Sequence, residues 1–106
     1  LPRDRLADLE RMTERAPGKS LPWYALGMEQ RARGDVAAAL VSLQRSLQVD
    51  PDYVPAYFQT SLTLKDAGRT AEAVVMLDRG VEVARRTGDP HAAQQMTALA
   101  ESLRGR

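Results

Sequence analysis

The sequence has no cysteine, which removes disulfide staples, thiolate nucleophiles and Cys-based zinc sites together and fits a reducing compartment, with the cytoplasm as the default expectation. It has a single histidine, His91, with no acidic cluster beside it, so a metal site or a His-centred catalytic triad lacks partners. No apolar run approaches the length of a membrane span, and Leu1-Pro2-Arg3-Asp4-Arg5 lacks the apolar core of a secretory signal. The chain opens on Leu rather than Met and leaves open what precedes it. Charge of one sign is also missing: fifteen Lys and Arg stand against fourteen Asp and Glu. No strong field therefore draws in polyanions or anionic membrane surfaces, and neither nucleic acid nor membrane is expected as a partner.

Aromatics are scarce, with one Trp, one Phe and three Tyr, and no useful stretch alternates apolar with polar residues, so no strand signal competes with helix. What is present is ordinary for a folded globular chain: 43% hydrophobic and 27% charged over 106 residues. That is enough for one modest core and too short for two independent domains.

An internal repeat organises the rest. A shift of 34 residues lays Gly34, Ala37, Ala39, Val41, Leu43, Arg45 and Val49 onto Gly68, Ala71, Ala73, Val75, Leu77, Arg79 and Val83, all identities. Trp23 falls on Tyr57, Tyr24 on Phe58 and Gly27 on Ser61, preserving character. Within each unit the apolar period is helical: Val36, Leu40, Leu43, Leu47 in one and Val74, Leu77, Val81, Ala84 in the other. Gly34-Asp35 and Gly68-Arg69-Thr70 offer a glycine helix stop followed by an Asp or Thr cap, and Asp52 after Pro51 can cap the helix that follows. Each unit is then two helices and a tight turn. Leu6, Leu9 and Met12 form an earlier stripe, and Asp89-Pro90 opens a last helix carrying Ala92, Met96, Leu99 and Leu103. The pattern predicts helices at 4–15, 21–33, 36–49, 53–67, 70–86 and 90–104.

The period, together with Trp23, Leu26, Gly27, Gly34, Ala39, Leu43 and Pro51, resembles the tetratricopeptide repeat (TPR) consensus. The resemblance implies an all-α fold of antiparallel helix hairpins stacked in a short right-handed superhelix. It spans a single domain: residues 1–19 as the second helix of an earlier repeat, 20–53 and 54–87 as two full units, and 88–106 as a capping helix. The second unit departs from the pattern, with Thr60 for the Leu, Ser61 for the Gly and Arg85 at the Pro site.

By the same resemblance, Trp23 and Tyr57 pack inside their repeats. The concave face is made by Leu21, Tyr24, Ala25, Met28 and Arg31 in the first unit and by Pro55, Phe58, Gln59, Leu62 and Lys65 in the second. Such a groove implies a protein or peptide partner held by apolar burial, with no cofactor and no catalysis. The alternatives are that the last helix, 90–104, fills the groove, or that the chain is a self-associating module, a homodimer whose groove is closed by a second copy. Chaperone-binding relatives hold a terminal carboxylate with Lys, Asn, Asn, Lys and Arg. The matching positions here are Tyr24, Met28, Gln59 and either Asp89 with Ala93 or Pro90 with Gln94, none cationic, so that clamp is absent. Gly18-Lys19-Ser20 has no glycine five residues ahead to complete a phosphate loop, and Asp4, Asp8, Glu10 and Glu14 lie among arginines as solvated ion pairs rather than paired catalytic acids. The basic runs Arg85-Arg86 and Arg104-Gly105-Arg106 sit where cations complement helix ends, without an aromatic platform for RNA.

Overall fold

Three turns of one construction set the helix lengths. At the first, Gly34 takes φ 83°, a backbone region closed to most L side chains. Its N–H reaches the Arg31 carbonyl at 2.9 Å while the Asp35 N–H reaches that of Gln30 at 2.9 Å, the paired bonds of a Schellman motif. Gly68 and Gly88 repeat both the conformation and the bonds. Asp35 and Asp89 then turn straight into the next helix, their carboxylates accepting the Ala38 and Ala92 N–H groups.

The computed structural model describes residues 4–105, and among them every regular element is an α-helix. The helices are α1 (Arg5–Arg15), α2 (Ser20–Ala32), α3 (Val36–Val49), α4 (Val54–Asp66), α5 (Thr70–Arg86) and α6 (Pro90–Arg104). The all-helical reading holds, with ends displaced by a residue at most. Two caps differ. Thr70 is the first residue of α5 and Arg69 occupies the cap position, where no side chain caps; its guanidinium instead grips Glu72 at 2.5 and 2.8 Å, fastening the first turn from outside. At α4 the helix opens at Val54, one residue too late for Asp52 to be the cap, and Asp50 folds the turn by accepting the Asp52 N–H at 3.0 Å.

The chain divides between Tyr53 and Val54 into two compact units. In the first, α1 packs on α2 and α2 on α3. Leu9, Leu26, Ala39 and Leu43 are buried, Ala39 and Leu43 completely. Gly27 explains how closely α2 and α3 approach: a Cβ there would stand 2.9 Å from the Leu43 Cγ and 3.3 Å from the Ala39 carbonyl oxygen. A buried hydroxyl pair adds a polar link, with Ser20 donating to the Ser46 carbonyl at 2.9 Å and Ser46 to that of Ser20 at 3.1 Å. Outside, Glu29 on α2 accepts from Arg5 on α1 at 2.8 Å and from Arg33 at 3.0 Å. Arg33 also reaches Asp4 at 3.3 Å, whose carboxylate caps α1.

In the second unit α4 packs on α5 and α5 on α6. Its core is Ala56, Tyr57, Leu64, Ala73, Leu77, Ala84, Met96, Ala100 and Leu103. Each such Leu contributes about 1.5–3 kcal/mol by leaving water. The small residue here is Gly80 on α5, where a Cβ would meet the Met96 Sδ at 2.5 Å and the Tyr57 Cβ at 2.8 Å. Helix α5 has 17 residues against 14 in α3, continuing a turn past the point where Asp50-Pro51 stops α3. Consequently α6 starts thirty-six residues after α4, while α4 starts thirty-four after α2.

Candidate partner-binding faces

Helix α2 sorts its side chains by direction. Ser20, Pro22, Leu26 and Gly27 are buried, while Tyr24, Ala25, Met28 and Arg31 are half-buried and Leu21 is 61% exposed. The Tyr24 ring meets Tyr53 edge-on, centroids 5.3 Å apart and planes at 70°, a favourable aromatic geometry that holds both rings at the surface of the first unit. Burial, then the nearby Asp50 carboxylate, pushes the Tyr53 phenol up. Trp23 sits beside this face only half-buried: its indole N–H donates to the Pro17 carbonyl at 2.9 Å and the Arg45 guanidinium lies 5.5 Å from its ring. It closes the edge of the unit instead of filling its middle, unlike Tyr57, which is 8% exposed in the second unit.

Helix α4 divides the same way. Val54, Ala56, Tyr57, Thr60, Ser61, Thr63 and Leu64 are buried; Phe58, Gln59, Leu62 and Lys65 are half-buried and Pro55 is exposed. Lys65 lies 3.5 Å from Asp66. All ten residues assigned to the concave face thus remain accessible, in two sets, one on each unit.

The second unit carries more than its sequence suggested. Val54, Pro55, Phe58 and Gln59 on α4 form one wall of a depression of about 380 Å³, whose other wall is Asp89, His91, Ala92, Gln95 and Met96 at the start of α6. Sequence reasoning missed His91 and Gln95, because it aligned the last helix with no more than one added residue in the turn. Matching helix starts adds two, so His91 and Gln95 take the places in α6 that Pro55 and Gln59 hold in α4. The signal was Arg85 in place of the helix-stopping Pro, which lets α5 run on to the Gly88 turn. Neither position is Lys or Arg.

A larger depression, about 710 Å³, lies along the outside of α5 and α6. Asp78, Glu82, Arg85, Arg86, Glu101 and Arg104 line it above Val81, Thr97 and Ala100, with Arg104 paired to Asp78 across the two helices. Among the described residues no three His, Cys, Asp or Glu side chains are placed to hold a metal ion, and no helix is long and apolar enough to cross a membrane.

The tetratricopeptide repeat family profile matches residues 30–99, two thirds of the chain, covering all of α3, α4 and α5 and the first ten residues of α6. The chain belongs to the tetratricopeptide repeat family. An uncharacterized protein of Methanocaldococcus jannaschii is 34% identical to it over 61 residues, 58% of this chain and 71% of that one. Among solved structures, a TPR domain protein of Salinibacter ruber is similar at 26% identity and TM-score 0.79, covering 84% of this chain and 90% of that one. Two further TPR structures share the fold at lower identity. The TPR2B domain of yeast Sti1, solved as a complex with pHsp70, gives TM-score 0.88 at 16% identity over 94% of this chain and 80% of that one. The Yersinia enterocolitica type III secretion translocator chaperone SycD gives 0.85 at 17% over 93% of this chain and 69% of that one.

Proposed function

We propose that this TPR protein is a protein-interaction module that seats apolar or amphipathic partner segments on the accessible face of α2 in its first unit and on that of α4 in its second. The carrying observation is that each unit leaves large apolar side chains half-exposed on its first full helix, Tyr24 and Met28 on α2 and Phe58 and Leu62 on α4, while Leu26 on the one and Tyr57 and Leu64 on the other are buried. Such side chains gain free energy only when another surface covers them. The fold, shared with a TPR domain solved as a complex with pHsp70 and with a type III secretion translocator chaperone, supports the reading. Arg31 and Lys65 at the far ends of the two faces are placed to meet acidic groups of the partner.

Replacing both Tyr24 and Phe58 by Ala tests this. Central aromatic anchors lose about 2 kcal/mol or more of binding on truncation, whereas half-exposed rings cost the free protein less. The expected result is loss of partner capture, or dissociation of a self-associated form by light scattering, with helical circular dichroism retained. Full binding by a normally folded double variant would place the interface elsewhere.

A further inference from the structure

We infer that the depression at the start of α4 and α6 selects a segment whose apolar side chain is followed directly by a lysine or arginine, the cation lying against Asp89. This rests on the proposed function and specifies the chemistry of its ligand in the second unit. The floor is apolar: Phe58 and Val54 from α4, Met96 and Ala92 from α6, with Met96 fully buried. The volume, about 380 Å³, takes one large aliphatic or aromatic side chain with part of its backbone.

The charge of the lining decides the neighbour of that side chain. No Lys or Arg contributes to it, and its one carboxylate is Asp89, half-buried and without an ion pair among the described residues. Helix amino-termini ordinarily favour anions, and α6 begins here, so that preference has to be weighed. It is met in part: Pro90 has no N–H, the Ala92 N–H goes to the Asp89 carboxylate at 3.1 Å and the Ala93 N–H to the Asp89 carbonyl at 3.1 Å, which leaves the His91 N–H for water or a ligand carbonyl, beside a carboxylate that already supplies the negative charge the helix end favours. The cap uses one carboxylate oxygen and leaves the other, with the negative charge, at the wall of an apolar recess, where a desolvated cation is favoured and a second carboxylate is repelled.

The test uses the whole chain, isotopically labelled, titrated with three blocked hexapeptides that differ only in the residue after a single Leu: Lys, Gln or Glu. Amide shifts at Phe58, Gln59, His91 and Gln95 report the site. The Lys peptide is expected to bind about threefold tighter than the Gln peptide, the scale of a partly exposed ion pair, and the Glu peptide weaker than both. Asp89→Asn keeps a side-chain acceptor for the Ala92 N–H, and so keeps α6 capped, while removing the charge. In that variant the Lys and Gln peptides are expected to bind equally, with an unchanged melting temperature. Equal binding of these two by the unaltered protein, or a preference that survives Asp89→Asn, overturns the charge assignment while leaving the apolar seat standing. Failure of all three to shift these amides overturns the site itself.

Discussion

Thr60 is a buried residue whose hydroxyl finds no partner. It stands where the repeat pattern has Leu, it is 5% exposed, and its Oγ1 lacks a hydrogen bond, whereas Ser61 and Thr63 beside it donate to the Tyr57 and Gln59 carbonyls at 2.7 Å. Taking a hydroxyl from water without compensation costs about 1–3 kcal/mol. Thr60→Val, nearly the same shape without the hydroxyl, is therefore expected to raise stability by about 1 kcal/mol, read as a later denaturant midpoint at unchanged slope. Gly80 gives the opposite sign. In a helix interior Gly→Ala ordinarily stabilises, by up to about 1 kcal/mol, but here the new Cβ stands 2.8 Å from the Tyr57 Cβ, which is tied to backbone and cannot swing aside. Gly80→Ala is expected to destabilise by about 1–3 kcal/mol, while Gly18→Ala, with nothing within 4 Å, is expected to change little. A midpoint for Gly80→Ala equal to that of the parent would mean α4, α5 and α6 pack less closely than described.

At the scale of elements, α1 depends on polar contacts more than its neighbours do. Its apolar face is short, and the Arg5–Glu29–Arg33–Asp4 network ties it to α2 from outside. The Arg33 hydrogen bond first, then the charges of Arg33 and Arg5, holds the Glu29 carboxyl below its ordinary value of 4.5. A lowered folded value means that Glu29 stabilises the fold above pH 4.5, and that this is lost as pH falls through the lowered value. Melting curves of the parent and of Glu29→Gln are expected to differ at neutral pH, to converge on acidification, and to draw closer in high salt because the pairs are exposed. A gap that persists once Glu29 is protonated would assign the effect to packing of the side chain.

The elements were legible in the sequence because each signal was local. The 34-residue identities, the helical stripes and the Gly-Asp turns gave six helices, and Gly27 with Ala39 gave the close approach of α2 and α3. What escaped depended on which of several nearby partners a side chain takes, a choice the repeat pattern does not encode. Nothing around Trp23 announces that its indole will be taken by the Pro17 carbonyl at the edge of the unit, although its repeat partner Tyr57 is buried. Nor did Arg69-Thr70 disclose that an Arg69–Glu72 pair would replace a hydroxyl cap. The bounds of α5 and α6 were read correctly, but positions within α6 were matched to those of α4 with at most one added residue in the turn, where the helix starts require two. The accessible faces came from family resemblance, and the recess beside His91 and Gln95 became visible only with that register corrected.

For the whole molecule, charge is the quantity that generalises. A formal net charge of +1, with exposed arginines answered by acids among the described residues as in Arg11–Asp8, Arg69–Glu72 and Arg104–Asp78, gives a polyanion little net charge from which to release counterions. A short single-stranded oligonucleotide is expected to give no saturable shift even at low ionic strength. Tight, salt-dependent binding would reverse the preference for protein partners over nucleic acid.

The three turn glycines carry one more implication, about handedness. At Gly34, Gly68 and Gly88 the backbone has φ of 83°, 78° and 79°, and a Cβ added at any of them would meet nothing within 4 Å. Space is therefore not what reserves these places for glycine; chirality is. A D-amino acid has its preferred helical basin at these angles, and its side chain would project into open solvent. Chemically synthesised protein with D-alanine at the three positions is expected to fold identically and to gain up to about 1 kcal/mol per site, since each mirror-image residue has fewer unfolded conformations to surrender than glycine. L-alanine at the same sites is expected to cost stability, so three turns built alike become three places where the hand of a single carbon sets the sign of the effect.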